Sequence, residues 1–410
     1  MHRETTLTTS LESPGGLSRR DFLSHSAGVA AGAALLCAGC KPKGGSTPTP
    51  PPRAGGPTGG WPLEAFGVSR EAATKVMAKA TSRGGSFADL YFQRKAYVSL
   101  GVEDSAVNKA YSSVDMGVGI RVVDGNETGY AFSESLDLDS MLKAAEVAAA
   151  VAAGGGTPFG KTFQVGKGGR YYPTEDVWRG ASADKKVKLL SDLDKRVRGK
   201  DARIKQTLIH YHDVDSHVVV LDSDGRVVDD RQPMSVAYVH CVGEHKGRRE
   251  TNYYAVSGRA GLDFFTEERL ERVATEAVKR TTVLFESVEG PVGEMPVVLA
   301  PGSSGILLHE AIGHGMEADF ARKKTTIYTD KIGKKIAPEF VHIVDDGTNQ
   351  GMRGSINIDD EARDSKRTVL VENGVFRTFL HDRISAAHFK LKPTGNGRRQ
   401  SFRHMPIPRM

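Results

Sequence analysis

Apolar side chains at Leu63, Phe66, Val68, Ala72, Val76 and Ala80 fall roughly on one face at helical spacing, predicting a helix over residues 63–82 that ends at Gly84-Gly85. The period then drops to two. Residues 89–103 and 114–123 read as strands, Asp124-Gly125 as a turn and residues 128–132 as the returning partner. An alanine-rich stretch, 136–153, predicts a second helix stopped by Gly154-Gly155-Gly156, and residues 185–198 a third. Between 203 and 259 the alternation resumes as an antiparallel meander, with Asp222-Ser223-Asp224-Gly225 as a hairpin turn, and residues 267–284 close it as a helix. Beyond a boundary at Glu289-Gly290-Pro291, residues 295–300 read as a short apolar strand running into Pro301-Gly302-Ser303-Ser304-Gly305. No internal repeat at a fixed period is present.

This order of elements predicts an α+β protein. Residues 63–290 form an N-terminal α+β domain of antiparallel strands and helices, facing substrate or partner. Residues 291–410 form a mostly β C-terminal domain carrying the motif described below. A length of 410 residues agrees with two domains plus extras, and 46 glycines imply many turns between short elements. The formal net charge of +6 raises the question of nucleic acid, but the lysines and arginines are scattered, with no stripe interleaved with aromatics. A nucleic-acid partner is therefore not expected. Cys37, Cys40 and Cys241 are the only cysteines, too few for a disulfide framework.

The first 40 residues read as an address. Ser18-Arg19-Arg20-Asp21-Phe22-Leu23 has the twin-arginine form, followed by an uncharged Ala-, Gly- and Leu-rich stretch over 27–40, shorter than the roughly 20 apolar residues that span a bilayer. Leu36-Cys37-Ala38-Gly39-Cys40 is close to a lipobox and makes Cys40 a candidate lipidation site, although Cys37 stands where Leu or Val is usual. Residues 41–62, with Pro50-Pro51-Pro52, read as a Pro/Gly-rich tether. The expected location is the periplasm after export by the Tat route, either free or as a lipoprotein touching the membrane only through its anchor.

The candidate chemistry lies in His309-Glu310-Ala311-Ile312-Gly313-His314. Two imidazoles and an adjacent carboxylate are the content of a zincin site, with one residue too many. Histidines four apart sit roughly 40° apart around a regular helix; five apart gives roughly 140°, nearly opposite faces. For His309 and His314 to reach one ion, the helix must be distorted, most simply by a π-bulge, and Gly313 and Gly315 would loosen the backbone there. The alternative is an ordinary helix with one histidine in the core and the other on the surface. On the first reading His309 and His314 ligate Zn2+ and Glu310 is the general base.

The surrounding string, Gly305-Ile306-Leu307-Leu308 through His314-Gly315, resembles the signature of the TldD/PmbA family in its catalytic, TldD-type form. The likeness extends to Val118-Gly119-Ile120-Arg121-Val122 and Thr128-Gly129-Tyr130-Ala131, and to Asn357-Ile358-Asp359-Asp360-Glu361 and Gly397-Arg398-Arg399-Gln400-Ser401. The resemblance implies a zinc peptidase that cuts short, unstructured peptides and dimerises, pairing with a PmbA-like paralogue around a chamber. It also implies a third ligand, a cysteine, beyond the Gly-Arg-Arg-Gln-Ser stretch. No cysteine follows Cys241, so the C-terminal domain reads as shortened, and a non-catalytic peptide- or partner-binding subunit is the competing expectation.

Other candidates are weaker. Cys241 in a strand alternates away from His240 and reads as core, and His210 and His212 share a strand face that reads as solvated surface. His381, His388 and His404 are possible substitutes for the third ligand by proximity in sequence. Glu317 and Asp319 are candidates for supporting the imidazoles. Lys323-Lys324 and Lys334-Lys335 read as solvated loops, and Asp359-Asp360-Glu361 receives no role.

Overall fold

The structure, a computed structural model, describes residues 60–152, 158–302 and 304–410, all within one compact unit, Ala54–Met410. The twin-arginine leader, Cys40, nearly all of the tether and the triple glycine at 154–156 lie outside the described residues. Among the described residues no helix is long and apolar enough to cross a membrane.

The α+β expectation is met. Antiparallel strands β1 (Phe87–Glu103), β2 (Ala106–Asp124), β3 (Glu127–Ser133), β5 (Ile204–Asp222), β6 (Arg226–His245) and β7 (Arg248–Gly258) form one sheet in the order β3-β2-β1-β5-β6-β7, and β4 (Gln164–Val165) adds to β6 in parallel. Helices α1 (Arg70–Thr81), α2 (Leu138–Ala149), α3 (Ala183–Lys200) and α4 (Glu267–Thr282) each begin at a side-chain cap, from Ser69, Asp137, Ser182 and Thr266 respectively. The helix expected over 63–82 is two pieces. A 3-10 turn, Pro62–Phe66, ends at Gly67 in the left-handed conformation (φ 69°), and α1 starts afresh after Ser69.

Alternation along the strands sorts the packing. Leu90, Phe92, Val118 and Ile120 pack beneath α1 and α2, while Leu100, Ile209, Tyr211 and Val239 pack against α3 and α4. Both helical layers therefore cover one face. On the other face Tyr91, Val218 and Val220 meet Ile358, Ala362 and Phe402 of the C-terminal part. Charge accompanies that apolar contact. Arg121 of β2 pairs with Asp89 of β1 and reaches across to Glu361 at 2.7 Å, and Arg399 pairs with the same Asp89. Tyr91 Oη donates to Asp360 at 3.2 Å, and Asp360 also accepts from the Arg399 amide at 2.7 Å.

The C-terminal part begins with α5 (Ser304–Leu308), continues through the motif to α6 (Ala318–Arg322), and builds a small sheet from β8 (Ile343–Asp346), β9 (Arg367–Glu372) and β10 (Val375–Phe376). Helix α7 (Arg383–Phe389) follows, then the two-stranded β11 (Gly397–Arg398) and β12 (Ile407–Pro408). Its core is Met316, Ala318, Ala321, Leu370, Phe376, Phe379 and Leu380. The strand expected at 295–300 is absent. Val297, Val298 and Leu299 are exposed, and the backbone there joins no ladder among the described residues.

Candidate metal centre

The irregularity demanded by the five-residue spacing is present. After α5 the chain makes a π-helical turn, His309–Gly313, in which the His314 amide donates to the His309 carbonyl, then a 3-10 turn, His314–Met316. Glu317 leaves helical geometry (φ −76°, ψ 127°), and α6 resumes at once. Two bonds pin this exit to the domain core: Leu380 N–H to the Met316 carbonyl and Ala318 N–H to the Leu380 carbonyl, both 2.9 Å. Both glycines stand close to side chains from elsewhere in the chain. Gly313 has ordinary helical dihedrals (φ −58°, ψ −50°), and a Cβ there would meet the end of the Met410 side chain. At Gly315 a Cβ would lie 2.9 Å from the Tyr328 ring, inside ordinary contact distance.

The turn swings both imidazoles to one side. His309 Nε2 and His314 Nε2 are 3.1 Å apart, with ring centroids 4.5 Å apart and planes at 79°. Two nitrogens each about 2.0–2.1 Å from a common ion and separated by this distance subtend about 100°, close to a tetrahedral angle, so the pair fits Zn2+ in donor type and spacing. Glu310 shares the site, its carboxylate oxygens 4.0 Å from His309 Nε2 and 3.8 Å from His314 Nε2, with its side chain 63% exposed. Among the described residues these three are the only group of three potential ligands with donor atoms within 4.8 Å of one another.

A supporting carboxylate stands behind. Glu317, 0% exposed, bonds His314 Nδ1 through Oε1 at 3.1 Å and accepts from Arg409 through Oε2. Burial pushes the Glu317 carboxyl up, while Arg409 and His314 pull it down. As a carboxylate it accepts the Nδ1 proton, which leaves the Nε2 lone pair of His314 facing His309. Of the two supporting acids weighed from sequence, Glu317 is the one in place; Asp319 pairs with Lys323 at 3.2 Å instead. Arg409 was missed, because nothing in its local sequence signals a partner 92 positions away.

The substitute ligands do not join. Cys241 is in the core beneath α3 and α4, and burial pushes its thiol up to about 12. His381 is fully buried among Phe379 and Phe389 and, held neutral by burial, is pushed down to about 4. His388 is exposed, and His404 contacts Ser401 at 3.2 Å. His210 and His212 do share a sheet face, where His240 approaches His210 with ring centroids 5.9 Å apart and Tyr97 Oη lies 2.7 Å from His212 Nδ1. Of the unassigned acids, Asp360 accepts from Tyr91 and Glu361 pairs with Arg121, so both bond the C-terminal part to the sheet.

Comparison with known proteins identifies the family. Profiles for the PmbA/TldA metallopeptidase domain 1, central domain and C-terminal domain match residues 88–152, 177–285 and 292–410. The chain is 34% identical to the metalloprotease TldD homolog of Haemophilus influenzae over 350 residues, 84% of this chain and 73% of that one. It is 26% identical to the zinc metalloprotease TldD homolog of Saccharolobus solfataricus over 341 residues, covering 82% and 74%. The crystal structure of TldE from Thermococcus kodakarensis superposes with a TM-score of 0.66 at 22% identity, covering 83% of this chain and 76% of that one, which shows a common fold. The chain belongs to the TldD/PmbA family of metallopeptidases.

Proposed function

We propose that this chain is a zinc-dependent metallopeptidase that hydrolyses short or unstructured peptides, reaches the periplasm by the Tat route and works as a dimer with a PmbA-like partner. The observation that carries the chemistry is the convergence of His309 and His314 at 3.1 Å beside Glu310. His309 and His314 would hold the ion, and the zinc named for the Saccharolobus relative supports that choice of metal. A bound Zn2+ would supply Lewis acidity, bringing a water towards neutral pKa and polarising the scissile carbonyl. Glu310, exposed and next to both imidazoles, takes the proton from the attacking water and returns it to the leaving amine. Glu317 keeps His314 in the tautomer that presents Nε2. The motif turn is clamped to Leu380, so the substrate must bring its peptide bond to the turn, which an unfolded segment does more readily than a folded domain.

Metal analysis and a quenched fluorescent peptide test this together. The expected result is about one zinc per chain, lost in His309→Ala. Hydrolysis should stop with a chelator and fall by about 10²- to 10⁴-fold in Glu310→Gln at unchanged zinc content. A chain that takes up no zinc at micromolar supply is instead a peptide-binding subunit without catalysis.

A further inference from the structure

The β11–β12 pair gathers arginines around one cavity of about 630 Å³. Arg398 lies opposite Ile407, and Arg399, Arg403 and Arg409 complete the wall with Gln400 and His404. No carboxylate lines this cavity among the described residues. Acids outside the cavity lining pair with three of the four guanidiniums: Asp89 with Arg399, Asp115 and Glu134 with Arg403, and Glu317 with Arg409. Arg398 meets Asp360 through Nε alone, at 3.3 Å, and its two terminal nitrogens donate no hydrogen bond among the described residues. A guanidinium with its terminal N–H pair free matches a carboxylate in a two-bond fork.

The cavity also adjoins the candidate metal centre. One side chain, Glu317, separates Arg409 from His314, and Asn396 ties the Arg409 carbonyl (2.9 Å) to Asp345 (2.8 Å). Resting on the peptidase reading above, we propose that this cavity binds a peptide carboxylate, with Arg398 as its anchor, and that the protein prefers substrates with a free C-terminal carboxylate. Tyr130, Met405 and Ile407 on the same wall give the side chain next to that carboxylate an apolar seat. An acidic side chain near the end of a peptide offers the same chemistry, and the experiment separates the two sources.

The test is anisotropy binding of a labelled, unstructured octapeptide to the full chain carrying Glu310→Gln, so that nothing is consumed. Three forms are compared: free acid, C-terminal amide, and amide with a penultimate glutamate. The free acid should bind about tenfold more tightly than the plain amide. Adding Arg398→Gln should bring that ratio close to one without changing the affinity for the amide. Restoration of tight binding by the glutamate would support the site and name side-chain acids as a further source; no restoration would support the terminal carboxylate alone. Equal binding of acid and amide by the chain that retains Arg398 overturns the assignment, as does an equal loss for both in the Arg398 variant. Zinc-dependent hydrolysis without preference for the acid refutes the cavity and leaves the peptidase; preference without hydrolysis does the reverse.

Discussion

Two groups of ionisable side chains, a few elements apart, are built on opposite terms. In the joint between the sheet and the C-terminal domain, Asp89, Arg121 and Glu361 are all but fully buried, and each carboxylate has a cation beside it. At the motif, His309, Glu310 and His314 are part-exposed, and the two nitrogens that face each other share no acid closer than 3.8 Å. Buried charges that face partners of opposite sign hold a geometry, because removing one strands the others in a poorly solvated place. Exposed donors that converge without saturation are free to take a ligand. The first group belongs to architecture and the second to chemistry, and perturbing each should give a different readout.

The largest effect should come from the joint. Arg121→Met leaves Asp89 and Glu361 without their shared cation and should cost about 3–5 kcal/mol in a denaturant melt; a cost below about 1 kcal/mol would remove the contrast. Next is His381, buried and neutral. Its folded pKa of about 4 lies below the unfolded value of about 6.5, so its contribution is fully present above 6.5 and is lost as pH falls towards 4. Stability measured between pH 7 and 4 should fall by up to about 3 kcal/mol more in the parent chain than in His381→Phe. A smaller change belongs to the support behind the motif: Glu317→Gln should weaken zinc binding about 10- to 100-fold in a competition titration while both histidines remain. Unchanged affinity would show that Glu317 does not orient His314. Smallest is an exposed pair between α3 and α4, Arg196 with Glu267, where Arg196→Ala should cost less than about 1 kcal/mol.

What could be read from sequence follows from how local each feature is. The π turn was readable because two histidines five apart cannot share a regular helix face, and Glu317 because a carboxylate three residues past His314 is within reach. The sheet was readable from its period of two, although β2 runs further towards its hairpin than its apolar positions do, since Ala106 to Ser112 are exposed. Residues 295–300 have the composition of a strand, but a strand exists through its partner, and none is beside it among the described residues. Asp89 and Arg399 are 310 positions apart, and Arg409 reaches Glu317 over 92, so neither the joint nor the arginine-lined cavity leaves a local pattern. The closeness of Gly313 to Met410 is non-local in the same way.

The most direct test of the central proposition, that the π turn points His309 and His314 at one ion, is zinc K-edge absorption fine structure on the zinc-loaded chain. The predicted spectrum contains backscattering from two imidazoles with nitrogens at about 2.0–2.1 Å, a signal that disappears with the zinc in His309→Ala. A shell of oxygen alone, or an unchanged imidazole signal in that variant, would contradict it.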